Sequence, residues 1–172
     1  SATDLVDGPV PVSCSPASGS SFPAGTTTVN CSATDAHNNT ANGSFTVSVV
    51  YGWTGFFQPV DNTDASGKYI LNIAKAGSTI PVKFSLAGDQ GLNIFAAGYP
   101  KVSATFSCGS DPTADAIEEY STATVSGLKY DPTANQYIYN WKTDKTWAGG
   151  CRSLLVKLAD GTTHRADFNF TK

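Results

Sequence analysis

The side chains that could perform acid–base chemistry are few and poorly placed for it. Hydrolysis by a carboxylate pair needs two carboxyl groups that face each other at about 5–10 Å. Glu118 and Glu119 are consecutive, so on a strand they would point to opposite faces. The other acids are aspartates, and most lie in turn sequences such as Asp131-Pro132 and Asp160-Gly161, where they normally bond to the backbone. The sequence therefore predicts no catalytic carboxylate pair.

A hydroxyl nucleophile would need a histidine as its base, and the chain has two histidines. His37 lies in a turn-like segment, residues 35–39, and His164 follows the Asp160-Gly161 turn. We expect both imidazoles to be exposed. The sequence contains no GxSxG motif, in which a strained turn presents a catalytic serine. These observations predict that the chain is not an enzyme and has no catalytic residue.

The cysteines favour disulfides over a zinc site. Cys14, Cys31, Cys108 and Cys151 are widely spaced and include no CxxC pair. Four cysteines allow three connectivities. In a hairpin of residues 11–14 and 28–31, the first two would meet across neighbouring strands, and the last two would then pair; a cross-pairing between the two regions remains the alternative. Because disulfides form in oxidising compartments, we expect an extracellular chain, secreted or attached to the cell surface.

Oxygen-rich turns make calcium the metal to consider, because this ion takes about six to eight oxygen ligands. Candidate ligands could converge at one end of the first region, namely Asp4, Asp7, Asp35 and Asn38, with Asn39 beside them. A second oxygen-rich turn contains Asp61, Asn62 and Asp64. The same residue types occur in turns without any ion, because their side chains bond to the backbone. We therefore expect no cofactor and retain calcium as the alternative.

Carbohydrate binding needs exposed aromatic rings that stack on sugars. Trp147 and Tyr99 are the candidates, because both lie in glycine-containing loops. The three aromatic residues that alternate within residues 137–141 are better explained as core residues of one strand. For Trp147 we favour the alternative that it only caps the core beside Cys151. Polysaccharide is thus a candidate partner, and another surface protein is a second one.

The charge balance disfavours nucleic-acid and membrane partners. The 172-residue chain has 11 lysines and arginines against 14 acidic residues, with a net charge of −3, so it lacks the basic surface that binds phosphates. No apolar stretch reaches the roughly 18–20 residues that a membrane helix needs. Apolar residues make up 40% of the chain, which is enough for packed cores. We expect no nucleic-acid partner and no membrane insertion.

Short alternating runs that are separated by turn residues predict strands nearly throughout the chain. Ser44–Val50 alternates cleanly, and Asp160-Gly161 between two such runs is a hairpin signal. The one helix candidate covers residues 112–120. Residues 1–50 supply few strands, whereas residues 51–172 supply about seven, the number in an immunoglobulin-like sandwich. We predict an all-β chain of tandem immunoglobulin-like antiparallel sandwiches, a first incomplete module at residues 1–50 and a second at residues 51–172.

Three motifs carry a family resemblance in the first region: Ala2–Pro16, Ser18–Asp35 and Asn39–Val49. With these motifs, residues 2–50 resemble the hyalin repeat (HYR) module. The resemblance implies an immunoglobulin-like extracellular repeat associated with adhesion, of the kind found in large secreted or surface proteins of bacteria. Two features depart from the family: the usual opening strands are missing, and Gly43 stands where many members carry another cysteine. The missing strands would leave an open sheet edge with which another chain could pair.

Three further motifs lie in the second region: Trp53–Asp61, Lys75–Phe84, and Tyr137–Thr143. With them, residues 51–172 resemble the PxKF-type C-terminal module that follows HYR-like repeats in secreted actinobacterial proteins. This resemblance implies a β-sandwich and an extracellular location, but no reaction.

Two functional hypotheses follow. The first is a noncatalytic structural or adhesion segment, an accessory part of a secreted or cell-surface bacterial protein. The alternative is a carbohydrate-binding module that accompanies a secreted glycoside hydrolase, with Trp147 and Tyr99 as its sugar-binding residues.

Overall fold

The computed structural model describes residues 1–62, 70–108, 119–123 and 126–172, together with the backbone of residues 115–116. The chain divides into two compact units, Ser1–Val50 and Tyr51–Lys172. Strands make up the regular structure of the described residues apart from one short 3₁₀ turn at Lys145–Trp147, so the all-β prediction is confirmed. Most of the helix candidate at residues 112–120 lies outside the described residues. No described helix has the length and apolarity of a membrane span.

The first unit contains two small antiparallel sheets. The strands are β1 (Ala2–Asp4), β2 (Gly8–Val10), β3 (Val12–Ser15), β4 (Gly25–Thr34) and β5 (Thr40–Val49). β1 pairs with β2, and the other three form a sheet in the order β3-β4-β5. Cys14 lies directly opposite Cys31 in the β3–β4 register, and the two form a disulfide with a Cα–Cα distance of 4.0 Å. The predicted cross-strand pairing is therefore present.

The three-stranded sheet has two chemically different faces, because side chains alternate along each strand. One face, here called the apolar face, carries in register Val12, Cys14, Thr27, Val29, Cys31, Ala33, Ala41, Phe45, Val47 and Val49. On the opposite face every side chain is Ser, Thr or Asn. Val29 and Ala33 are buried, but Phe45 on the edge strand β5 is 55% exposed. The apolar face is thus only partly covered.

The second unit has two sheets built from nine strands among its described residues. The strands are β6 (Thr54–Phe57), β7 (Leu71–Lys75), β8 (Thr79–Ser85), β9 (Lys101–Val102), β10 (Asp115–Ala116), β11 (Gly127–Asp131), β12 (Gln136–Lys142), β13 (Cys151–Lys157) and β14 (Thr163–Thr171). One sheet has the order β11-β12-β8-β6, and the other has the order β10-β7-β14-β13-β9. The turn at Asp160-Gly161 joins β13 to β14 as a hairpin, as predicted.

The five-stranded sheet differs from the antiparallel expectation. β7 pairs in parallel with both β14 and β10. A hairpin forces neighbouring strands to run antiparallel, whereas strands that are joined by a long connection can pair in either direction. β7 and β14 are separated by most of the unit, so no local turn fixes their relative direction. The second unit is therefore an all-β structure with one antiparallel sheet and one mixed sheet.

The core of the second unit lies where the two sheets meet. Its fully buried side chains include Ile80, Val82, Phe84, Tyr137, Leu154, Val156, Phe168 and Phe170. Tyr137 and Trp141 are buried and Tyr139 packs against the same cluster, as the alternation of these aromatic residues predicted. Burying each large apolar side chain contributes about 1.5–3 kcal/mol. Cys108 and Cys151 form the second predicted disulfide, with a Cα–Cα distance of 5.3 Å.

Candidate functional site

Two turns at one end of the first unit are held by aspartates. Asp4 accepts hydrogen bonds at Oδ1 from the backbone N–H of Val6 at 2.7 Å and of Asp7 at 2.9 Å. These bonds close the turn between β1 and β2. Asp35 accepts bonds at Oδ1 from the backbone N–H groups of His37 and Asn39, both at 2.8 Å. This second set of bonds closes the turn between β4 and β5.

The two turns meet through Asp7. Its Oδ2 atom accepts a hydrogen bond from the backbone N–H of Ala36 at 3.2 Å and lies 3.0 Å from Nδ1 of His37. One carboxylate oxygen from each of Asp7 and Asp35, and one ring nitrogen of His37, lie within 4.8 Å of one another. The His37 side chain is 64% exposed. The folded chain thus brings together residues about 30 positions apart into an exposed cluster of three potential metal ligands, here called the turn cluster.

The charge of the turn cluster is not balanced within the first unit. Residues 1–50 contain three of the 14 acidic residues, Asp4, Asp7 and Asp35, while all 11 lysines and arginines lie after residue 50. Backbone N–H groups of Asp7 and Val6 hold the pKa of Asp4 below its ordinary value, and the side chain and backbone of Asn39 do the same for the pKa of Asp35. Both carboxylates are therefore ionised at neutral pH.

A shallow cleft of about 180 Å³ lies beside the turn cluster. Its polar lining comes from Asp4, Asp35 and Asn39, and its apolar lining includes Ala33 and Ala41. Two carboxylates therefore line this cleft.

All four residues that the sequence proposed for calcium lie in the two turns at this end of the unit. Asn38 is an exposed residue of the β4–β5 turn with a left-handed backbone, φ 65°, and its N–H donates to the Asp35 carbonyl at 3.2 Å. At the second oxygen-rich turn, Asp61 accepts hydrogen bonds from Gln58 at 2.9 and 3.0 Å, and Asp64 lies outside the described residues. Calcium binding at either turn stays a prediction. The sequence missed His37 as a member of the cluster.

The two sugar-binding candidates lie near opposite ends of β13. Trp147 packs against Trp141 and Phe170 at centroid distances of 5.9 and 5.4 Å, just before β13 begins. Tyr99 lies near Lys157, the last residue of β13, whose Nζ is 6.0 Å from the ring centroid. A strand of this length spans about 20 Å, so the two rings do not form one platform.

Each of these two rings also has a cation beside it. The Arg152 guanidinium lies 5.2 Å from the Trp147 ring, and Lys101 Nζ lies 4.7 Å from the Tyr99 ring. Both aromatic side chains are half-buried, and Trp147 packs against the core cluster of the second unit. Carbohydrate binding by Trp147 or Tyr99 stays a prediction.

His164 is half-buried, which corrects the expectation that it is exposed. Its ring stacks on Trp53 at a centroid distance of 3.6 Å and an interplanar angle of 3°. Its Nε2 atom is buried and has no hydrogen-bond partner among the described residues. His164 lies at an alternate position of β14 with the buried Ala166 and Phe168, so it continues the core-facing side. That alternation is the sequence signal that could have predicted its burial.

Asp160 is another residue whose environment the sequence did not show. Besides shaping its own turn through Thr162, it accepts a hydrogen bond from the backbone N–H of Tyr51 at 2.7 Å. Burial raises the pKa of Asp160, but the hydrogen bonds from Thr162 and Tyr51 outweigh burial and hold that pKa below its ordinary value. The Asp160 carboxylate therefore links the backbone of Tyr51 to the β13–β14 turn by a hydrogen bond.

The edge strand β5 is the longest unpaired edge in the first unit. Its ten residues pair with β4, and along its other edge it pairs with no strand of the described chain. Thr40–Val49 contains no charged residue and no proline, the residue types that usually protect such an edge. Beside it, a groove of about 270 Å³ is lined by apolar residues that include Phe22, Val29, Phe45 and Val47.

Residues 1–49 match the family model of the HYR domain, in agreement with the motifs of the first region. The comparisons with curated proteins and with solved structures gave no match. The PxKF-type resemblance of residues 51–172 and the missing opening strands of the first module stay predictions. An HYR domain is an extracellular module of the adhesion type. Together with two disulfides, the match indicates an extracellular or cell-surface protein.

Proposed function

We propose that the chain is a noncatalytic accessory segment of a secreted or cell-surface bacterial protein, and that it serves a structural and adhesive role. The observation that carries this proposal is the match of residues 1–49 to the HYR domain. The two disulfides support it, because they are typical of proteins that work in an oxidising environment. In this proposal the second unit is a β-sandwich that follows the HYR-like unit in the same accessory segment.

The use of the side chains in the described residues supports a noncatalytic role. Asp4, Asp35, Asp131 and Asp144 each accept hydrogen bonds from backbone N–H groups of their own turns. Most of the aromatic rings of the second unit pack in or against its core. Side chains that stabilise turns and cores in this way have structural roles.

We propose that adhesion occurs by strand addition at β5, with β5 of a second copy as the partner. An exposed strand edge offers unpaired N–H and C=O groups that another strand can satisfy. Two identical β5 edges can pair antiparallel about a two-fold axis, so both chains gain the same bonds. Because Thr40–Val49 carries no charge, this pairing brings no like charges together.

The experiment measures clustering of beads that carry the full chain, together with sedimentation velocity of the free chain. The edge variant Ser44→Lys/Thr46→Lys places two cations on β5, where they should repel a second copy. The control variant Thr26→Lys/Thr28→Lys places the same charges on the same face of β4, at two positions that pair with β5 within the chain. All four positions are exposed, so both variants should fold.

We expect clustering and concentration-dependent association of the unmodified chain and of the β4 control, and loss of both in the edge variant. Beads that stay dispersed with the unmodified chain would contradict the adhesive proposal. Equal clustering by the edge variant would show that β5 is not the contact.

A further inference from the structure

We propose that Asp7, Asp35 and His37 bind one divalent first-row transition metal ion, such as zinc. Two independent segments supply these donors: Asp7 comes from the β1–β2 turn, and the other two come from the β4–β5 turn. This assignment concerns the turn cluster alone and does not depend on the adhesive role of β5.

The donor atoms are close enough to share one ion. Nδ1 of His37 and Oδ2 of Asp7 are 3.0 Å apart, and all three donor atoms lie within 4.8 Å of one another. Ligand atoms on one zinc ion lie about 2.0–2.2 Å from it, so neighbouring ligand atoms are separated by roughly 3–4 Å. The His37 side chain is 64% exposed, so it can rotate to adjust its distance from the two carboxylates. Water would complete the coordination, as in zinc sites with three protein ligands.

The kinds of donor select the class of metal. An imidazole nitrogen suits zinc, nickel and related transition ions, whereas calcium and magnesium take oxygen ligands. The cluster offers one nitrogen and two carboxylates, and calcium would need several more oxygens than these carboxylates provide. The imidazole therefore distinguishes this cluster from an ordinary turn of acidic residues.

The charge of the unit also favours a bound cation. Asp4, Asp7 and Asp35 are all the acidic residues of residues 1–50, and no lysine or arginine lies in that range. Asp4 and Asp35 repel each other electrostatically. An ion of charge +2 at the turn cluster would offset most of the charge of these three carboxylates and would reduce that repulsion.

The experiment titrates the full chain with zinc chloride, and separately with calcium chloride, by isothermal calorimetry and by two-dimensional NMR of backbone amides. We expect one saturable zinc site, with the largest shifts at the amides of Asp7, Ala36 and His37. Because the ion would link two turns, zinc should also raise the melting temperature in proportion to its binding.

Two ligand variants and one control separate ligation from general charge. His37→Gln removes the nitrogen donor, and Asp7→Asn removes a carboxylate while keeping an acceptor for the Ala36 N–H. Each should weaken zinc binding at least about tenfold, the scale of losses when a metal site is disturbed. Asp131→Asn removes one negative charge from an unrelated turn of the same kind and should leave the affinity unchanged.

Three outcomes would contradict the assignment. They are the absence of saturable zinc binding at millimolar zinc, unchanged affinity in His37→Gln, and tighter binding of calcium than of zinc. Because the amide spectrum of each variant reports its fold directly, loss of binding through unfolding would be recognised. In that case His37→Gln decides the question, since that side chain is largely exposed.

Discussion

His164 and Trp53 form the closest aromatic stack among the described rings, at 3.6 Å between centroids. Burial lowers the pKa of His164 below its ordinary value of 6.5, although the Asp160 carboxylate acts in the opposite direction. A lowered pKa means that the folded chain holds the imidazole in its neutral form more strongly than the unfolded chain does. The free energy of unfolding must therefore depend on the protonation of this residue.

The sign of that dependence follows from proton binding. Well above pH 6.5 His164 is neutral in both states, and its contribution to stability is fully present. As the pH falls through 6.5 towards the lower folded-state pKa, the unfolded chain binds a proton that the folded chain does not, so stability is lost. We expect urea unfolding between pH 7.5 and 5.0 to show a larger loss for the unmodified chain than for His164→Phe. Identical pH profiles would contradict this prediction.

At the scale of elements, the pairing of β6 with β8 is irregular at one glycine. The register shifts between Gly55 and Phe57, and Gly55 has φ +133°, a backbone conformation that favours glycine. A Cβ atom at this position would lie 3.1 Å from Cα of Phe84, which belongs to the core of the second unit. The pairing of β6 with β8 therefore leaves little room for a side chain at residue 55.

We expect Gly55→Ala to lower the free energy of unfolding by about 1–3 kcal/mol, because the substitution combines backbone strain with a close contact. Gly127→Ala is the control, since Gly127 lies in β11 with nothing within 4 Å of an added Cβ. That variant should change stability by less than about 0.5 kcal/mol. Chemical denaturation checks both values, and equal effects of the two substitutions would contradict the argument.

The sequence predicted those elements whose evidence is local. Alternation along a strand decides which side chains face a core, so the burial of Tyr137 and Trp141 followed from their spacing. The Asp160-Gly161 turn fixed the β13–β14 hairpin, and the Cys14–Cys31 disulfide followed from a hairpin of residues close in the chain.

Features that depend on distant parts of the chain could not be predicted in this way. The parallel pairing of β7 with β14 joins strands that no short turn connects. The contact between Asp7 and His37 depends on the relative positions of two separate turns in the folded unit. No local sequence pattern predicts those positions. His164 was missed because its turn-like neighbours concealed the alternation that continues into β14.

At the scale of the whole molecule, the two units differ in how much core they possess. In residues 1–50 the buried hydrophobic side chains are Val29 and Ala33, whereas a large cluster fills the second unit. A unit with so small a core depends on its cross-link. We therefore expect the first unit to depend on the Cys14–Cys31 disulfide for its stability.

We expect Cys14→Ser/Cys31→Ser to destabilise the first unit by about 3 kcal/mol, the effect of closing a loop of this length. Amide signals of residues 1–50 should lose dispersion at a lower urea concentration than in the unmodified chain, and the signals of residues 51–172 are followed as a second set. The measurement is two-dimensional NMR at increasing urea. An unchanged unfolding midpoint for the first set of signals would contradict the prediction.

The two disulfides also limit how far the chain can lengthen under tension. They span sequence separations of 17 and 43 residues, and those residues cannot straighten between the two ends of the chain while the bonds are closed. At roughly 3.3–3.6 Å per extended residue, the two disulfide loops together enclose about 200 Å of chain that cannot extend while the bonds are closed. If the segment is pulled at both ends, it would extend by that much less than a reduced chain, and a force-extension measurement with and without reductant would display the difference directly.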